Sequence, residues 1–174
     1  MKAPHEGSSS SSSGLSYEVF LSFHGKDVRH GFFDHLYNAL VYAGIRTFRD
    51  EDELHKGNKI SLELLAAIQE SRISIPIFSK NYASSKWCLN ELIEISECRR
   101  TMNQIVVPIF YKVEPRDVRN QTGRYMKAFE EHQMRFDETT IQKWETALRE
   151  VGELGGWDLK VNPLSSTVPF WLHI

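Results

Sequence analysis

YEVFLSFHGKDVRHGFFDHLYNALVYAGIRTF, residues 17–48, is the stretch whose reading decides the fold. It opens with a β-rich apolar run, YEVFLSF (17–23), and closes with another, IRTF (45–48). Between them Phe32, Leu36, Leu40 and Ala43 recur at helical spacing and share one face. Asp27 is the expected N-cap of that helix, and Gly44 follows its last apolar residue as a stop signal. Strand, helix and strand at this spacing make a βαβ unit, whose two strands run parallel.

The same alternation continues outward. Further apolar runs are ISIPIF (73–78) and IVVPIFY (105–111), with a short strand expected at Trp157 to Leu159 after Gly155-Gly156. Ile60, Leu64, Ala67 and Ile68 line a second helix after the breaker pair Gly57-Asn58. A third helix begins near Ser84 and carries Cys88, Leu92, Ile95 and Arg99 on one stripe. A capping box, Thr139 with Gln142, opens a helix whose apolar face is Ile141, Trp144, Leu148 and Val151. The expected class is α/β, a flavodoxin-like open parallel five-stranded sheet with helices on both faces. Pro76 and Pro108 fall inside two strands, so each must lie where its missing N–H is not needed, at a strand end or bulge.

The chain has 174 residues, enough for one domain with a sizeable core and too few for two. Residues 1–14, with the serine run Ser8 to Ser13, read as a disordered leader, 15–160 as the domain, and 161–174 as a tail without clear period. A net charge of −2 argues against a dedicated nucleic-acid binder. No apolar run reaches the roughly 18–20 residues of a membrane span, and the N-terminus lacks a signal-peptide core. Cys88 and Cys98 on one helix would stand roughly 15 Å apart, too far for a disulfide. Reduced thiols without a secretion signal fit the cytoplasm or the nucleus.

In an open parallel sheet, ligands bind beyond the carboxyl ends of the strands. That rule points to Ser22 to Lys26, Asp50 to Lys59, Ser79 to Trp87 and Lys112 to Asp117. A phosphoacceptor receiver needs an aspartate at the end of the third strand, where this chain has Phe78-Ser79-Lys80. Gly25-Lys26 lacks the rest of a P-loop, no GxSxG elbow exists, and neither histidines nor cysteines have metal-ligand spacing. What remains is Glu91, one turn after Trp87 on the third helix and so on its face, with the apolar stripe of Cys88 and Leu92 expected to turn away. A carboxylate beside a flat aromatic suits a nucleotide, although a lone helical glutamate is more often a solvated surface residue.

Five ordered blocks then carry a family resemblance: YEVFLSFHGKDVR (17–29), HLYNAL (35–40), FRDEDELHKGNKI (48–60), FSKNYASSKWCLNEL (78–92) and VPIFYKVEPRDVRNQTG (107–123). Their order and spacing, from Tyr17 to Trp157, resemble the TIR domains of plant immune receptors. The resemblance implies a cytoplasmic signalling module that self-associates and hydrolyses NAD+ or NADP+ to nicotinamide and ADP-ribose-type nucleotides. NAD+ is then a substrate, and no cofactor or metal is called for. It implies that Glu91 is the catalytic carboxylate and that His24, Gly25, Ile60, Ser79 and Trp87 bind the nucleotide. The segment from Asp50 to Ile60 corresponds to the family's mobile loop. His24 departs from the pattern, which usually has arginine there.

The resemblance also implies two helical self-association surfaces, one on the first and last helices around Asp34 and His35, the other around Gly123 and Arg124. The partners it implies are further copies of the chain and other TIR domains. At the second surface, Met126 stands where the family often has glycine. A non-catalytic adaptor and a 2′,3′-cyclic nucleotide synthetase are the competing readings. The family's usual ATPase and leucine-rich repeats do not occur in this sequence, which reads as a part of a receptor or a TIR-only product.

Overall fold

A nearly continuous apolar run, buried on both faces, forms the first strand and organises the sheet. The computed structural model describes residues 17–49 and 60–159. The serine-rich leader, the loop with Gly57-Asn58 and the tail from 161 lie outside the described residues. Strand β1 (Val19–Phe23) is followed by the short α1 (Gly25–Val28), then α2 (Phe32–Tyr42) and β2 (Thr47–Arg49). Helix α3 (Leu62–Glu70) leads to β3 (Ile73–Phe78), a 3-10 turn (Tyr82–Ser84) and α4 (Lys86–Met102). Then come β4 (Ile105–Val106), β5 (Ile109–Tyr111), α5 (Pro115–Asn120), α6 (Arg124–Gln133), α7 (Glu138–Gly152) and β6 (Trp157–Leu159).

The strands pair in the order β2-β1-β3-β5-β6, all parallel, with β4 also on β3. β4 and β5 occupy one position in tandem, so the sheet is five strands wide, as expected. Order reverses between β1 and β3, which makes their carboxyl ends the switch point of the fold. Side chains alternate across it. Val19, Leu21 and Phe23 pack with Phe33 and Leu36 of α2 on one face. Phe20, Phe78 and Phe110 pack with α3, α4, α6 and α7 on the other. By the same alternation Ser22, next but one to Phe20, faces α4.

The two strand prolines answer each other. Ile73 donates to the Glu18 carbonyl on the β1 side, and Val107 donates to the Ser74 carbonyl on the other. Alternate residues of a parallel strand face alternate neighbours, so the nitrogen of Pro76 points away from β1. It meets the break between Val106 and Ile109, where Pro108 interrupts the adjoining strand.

Helix ends follow local chemistry with two corrections. Gly44 adopts φ +79° and closes a Schellman motif, Gly44 N–H to Val41 and Ile45 N–H to Leu40. Asp27, however, is not the cap of α2. It lies within α1, and Gly31 takes the N-cap position because the chain makes an additional turn there. Helix α7 is capped by Asp137, which accepts from Thr140 N–H at 3.1 Å, and not by Thr139. An aspartate two residues earlier intercepts the first free N–H, and the Thr140 bonds hold its carboxyl below the usual range.

The α7 face Ile141, Trp144, Leu148 and Val151 is buried as expected. Trp144 satisfies its indole N–H on Asn90 of α4 at 2.9 Å. Gly156 lets β6 approach β5: a Cβ there would lie 2.2 Å from the Pro108 carbonyl oxygen, whereas one at Gly155 meets nothing within 4 Å. Gly156→Ala should therefore cost about 1–3 kcal/mol by overpacking, with Gly155→Ala close to neutral, as read from denaturant midpoints.

Candidate functional site

Three strands deliver polar residues to one edge. Ser22 is the penultimate residue of the buried strand β1, and its hydroxyl donates to Glu91 Oε2 at 2.6 Å. It also shares a 2.8 Å hydrogen bond with the Tyr82 hydroxyl, which reaches the Cys88 carbonyl at 3.2 Å. Burial, reinforced by Cys88 and Glu91 nearby, pushes the Tyr82 phenol well above its ordinary pKa, so it stays a donor.

Glu91 itself is 2% exposed. This corrects the expectation that the Cys88 and Leu92 stripe turns away from it. At about 100° per residue, position 91 lies only about 60° from Cys88 and 40° from Ile95, on the sheet-facing side. Trp87, a further turn back, is half-buried and packs on the same core, as does Ile60. The helix is set by Ser85, whose hydroxyl accepts from Cys88 N–H at 3.2 Å.

A second cluster centres on Asp27, whose side chain is 3% exposed. Its carboxylate accepts from Ser79 Oγ at 2.6 Å, Asn81 N–H at 2.8 Å and Asn81 Nδ2 at 2.7 Å. Burial taken alone would raise its pKa. The bonds from Ser79 and Asn81, with His24 nearby, outweigh that and hold it below the usual value. His24 Nδ1 lies 3.6 Å from Asp27 Oδ1, and this buried nitrogen has no hydrogen bond among the described residues. Gly25 is buried at the start of α1.

Beyond β3 and β5 opens a cavity of about 620 Å³. Ser79 and Asp27 form part of its wall, while Glu91, Trp87, His24 and Ile60 do not line it. The residues expected around one nucleotide are thus divided. Glu91 stands with Ser22 and Tyr82, and Ser79 stands with Asp27 and His24 on the neighbouring side.

Of the expected association residues, Arg124 lines the cavity together with Asp27 and Ser79, whereas Asp34 and His35 do not. Asp34 and His35 begin α2, and Asp34 accepts from His30 N–H at 3.1 Å, a local turn contact. Helix α7, the last described, packs on α4 and α5, across the sheet from α2. Gly123 has φ +59° at the N-cap of α6, with exposed Arg124 next to it. Sequence reasoning places Ser22, Asn81 and Tyr82 within the expected ligand-edge stretches without singling them out, and it misassigns Asp27. The lone hydroxyl in an apolar strand, Ser22, was the available signal.

The TIR domain family model matches residues 16–174. TMV resistance protein N of Nicotiana glutinosa is 52% identical over 151 residues, 86% of this chain and 13% of that protein. Disease resistance protein RPV1 of Vitis rotundifolia is 51% identical over 143 residues, 82% of this chain and 10% of that protein. The chain therefore spans about a tenth of these relatives. Among solved structures, the TIR domains of the activated Roq1 resistosome, which directly recognises the pathogen effector XopQ, superpose with a TM-score of 0.78. They are 47% identical, with 85% of this chain and 90% of that chain covered.

Because the folded pKa of Asp27 is depressed, its stabilisation is present above the unfolded value of about 3.9 and is lost as pH falls through the folded value. Asp27→Asn should lower stability at neutral pH by about 1–3 kcal/mol. Thermal unfolding of that variant should then fall off less steeply than wild type between about pH 5 and about pH 2.

Proposed function

This chain belongs to the TIR domain family, and we propose that it serves plant immune signalling by hydrolysing NAD+ or NADP+ at Glu91 when several copies assemble. The observation that carries the reading is the Glu91 carboxylate, held at the switch point of the sheet by a 2.6 Å hydrogen bond from Ser22. The bond between nicotinamide and ribose C1′ breaks with its electron pair leaving on nicotinamide, which departs neutral. Positive charge develops on the sugar, and a fixed carboxylate in a poorly solvated site stabilises it more than one in water. Water then bonds to C1′ and its proton is released, giving ADP-ribose or its 2′-phosphate. Trp87, one turn from Glu91, offers a flat apolar surface for a ring of the nucleotide.

Assembly is supported by likeness to TIR domains described within an activated resistosome. Other TIR domains are the natural partners. The receptor segments that accompany such a domain in its relatives are a further part of this proposal, as is action in the cytoplasm.

A second reading is favoured by one observation. Glu91 is almost wholly buried and bonded within the fold, as a structural carboxylate would be in a non-catalytic adaptor. Histidine at position 24, in place of a permanently charged guanidinium, points the same way.

Nicotinamide release by purified protein should rise faster than linearly with protein concentration. Glu91→Gln, which keeps the shape and loses the charge, should reduce it at least about a hundredfold. Release equal in wild type and variant, with the protein clustered on a surface, would leave the adaptor reading.

A further inference from the structure

We propose that the cavity beyond β3 and β5 binds a small phosphate ester or diphosphate, at a site separate from the Glu91 crevice. Its volume, about 620 Å³, is within the range of small-molecule sites and far exceeds a bare phosphate. It opens at the carboxyl edge of a parallel sheet, where such folds take their ligands.

The lining charges are arranged for an anion. Lys80, Lys112 and Arg124 all face the cavity, and none forms an ion pair with the described residues. Three carboxylates also line it, so the formal charge balances. Two of them are committed elsewhere. Asp27 is bonded to Ser79 and Asn81, and Asp117 Oδ1 accepts from Thr122 Oγ1 at 2.5 Å. Glu114 is the third.

Backbone conformation supports the same assignment. Lys112, immediately after β5, adopts φ +56°, an uncommon conformation for a residue with a Cβ. Its ammonium stands 5.1 Å from the Tyr111 ring centroid. Helix α6 begins at Arg124 on the cavity wall, and its N-cap, Gly123, gives it no side-chain cap. The positive end of that helix dipole adds to the three cations.

The cavity wall includes part of the Asp27 cluster. Ser79 and Asp27 border this cavity, and Asp27 also lies beside His24. A ligand here would press on the loop that leads into the Tyr82 turn, without touching Glu91.

Calorimetric titration at low salt with inorganic pyrophosphate and, separately, ADP tests the site. Both should bind wild type and Glu91→Ala alike, and more weakly as salt rises. Tighter binding of ADP than pyrophosphate would place the nucleoside in the cavity, and equal binding would confine recognition to phosphate. Lys112→Glu combined with Arg124→Glu should weaken both at least about tenfold. Lys112→Gly relieves the positive φ and should raise the unfolding midpoint while weakening binding, a combination that misfolding cannot produce. The proposal is overturned if neither probe binds at millimolar concentration, or if the double variant binds as wild type does. It is equally overturned if Trp87→Ala abolishes ADP binding while Lys112→Gly leaves it intact. A non-catalytic Glu91 would not touch any of these outcomes.

Discussion

The carboxylate of Asp27 joins two chain segments that would otherwise end freely at the ligand edge. One lies in α1, just after β1, and the other is Ser79 to Asn81, just after β3. Three hydrogen bonds of 2.6 to 2.8 Å converge on a side chain withdrawn from water. Charge-assisted bonds of this length are the strong ones, and their loss would leave a buried charge uncompensated. Because Asn81 is fixed, the turn at Tyr82–Ser84 begins at a defined place, and Ser85 then caps α4. The position of Glu91 follows from that sequence of constraints. Tyr125 of α6 adds a further tie, its hydroxyl donating to the Ser79 carbonyl at 2.9 Å.

The edge therefore contains two polar clusters, one around Glu91 and one around Asp27 beside the cavity. On the β1 side the Glu91 carboxylate is nearly dry and accepts from the Ser22 hydroxyl, which suits stabilisation of transient positive charge. Towards β5, three cations with no ionic partner among the described residues line a cavity, which suits a lasting negative charge. Electrostatic complementarity separates their ligands more firmly than shape does.

Much of the molecule is legible in its sequence. The apolar β-rich runs at 17–23, 73–78 and 105–111 and the helical faces at Leu64 to Ile68 and Ile141 to Val151 are legible directly. Each is long enough for burial to dominate its conformation. Gly44 as a helix stop was equally plain, since positive φ favours glycine. Capping was less secure. Asp27 and Asp137 are both good N-cap residues by type, yet only Asp137 acts as one. Nothing local distinguishes a carboxylate that meets its own helix from one that meets a loop 52 residues later.

By itself, then, the sequence determined the alternation of strands and helices, the parallel sheet, and the residues that match the TIR pattern. Those depend on periodicity and turn chemistry over a few residues. Tertiary structure alone decided that Ser22 and Tyr82 would meet Glu91, that Glu91 would be buried, and that Ser79 would turn toward Asp27. It also decided that three cations would gather around one cavity from three separate segments. Such contacts are set by how strands stack and how far each helix is rotated. A shift of one helical position, about 100°, carries a side chain from solvent to core, and no local pattern encodes it to that accuracy.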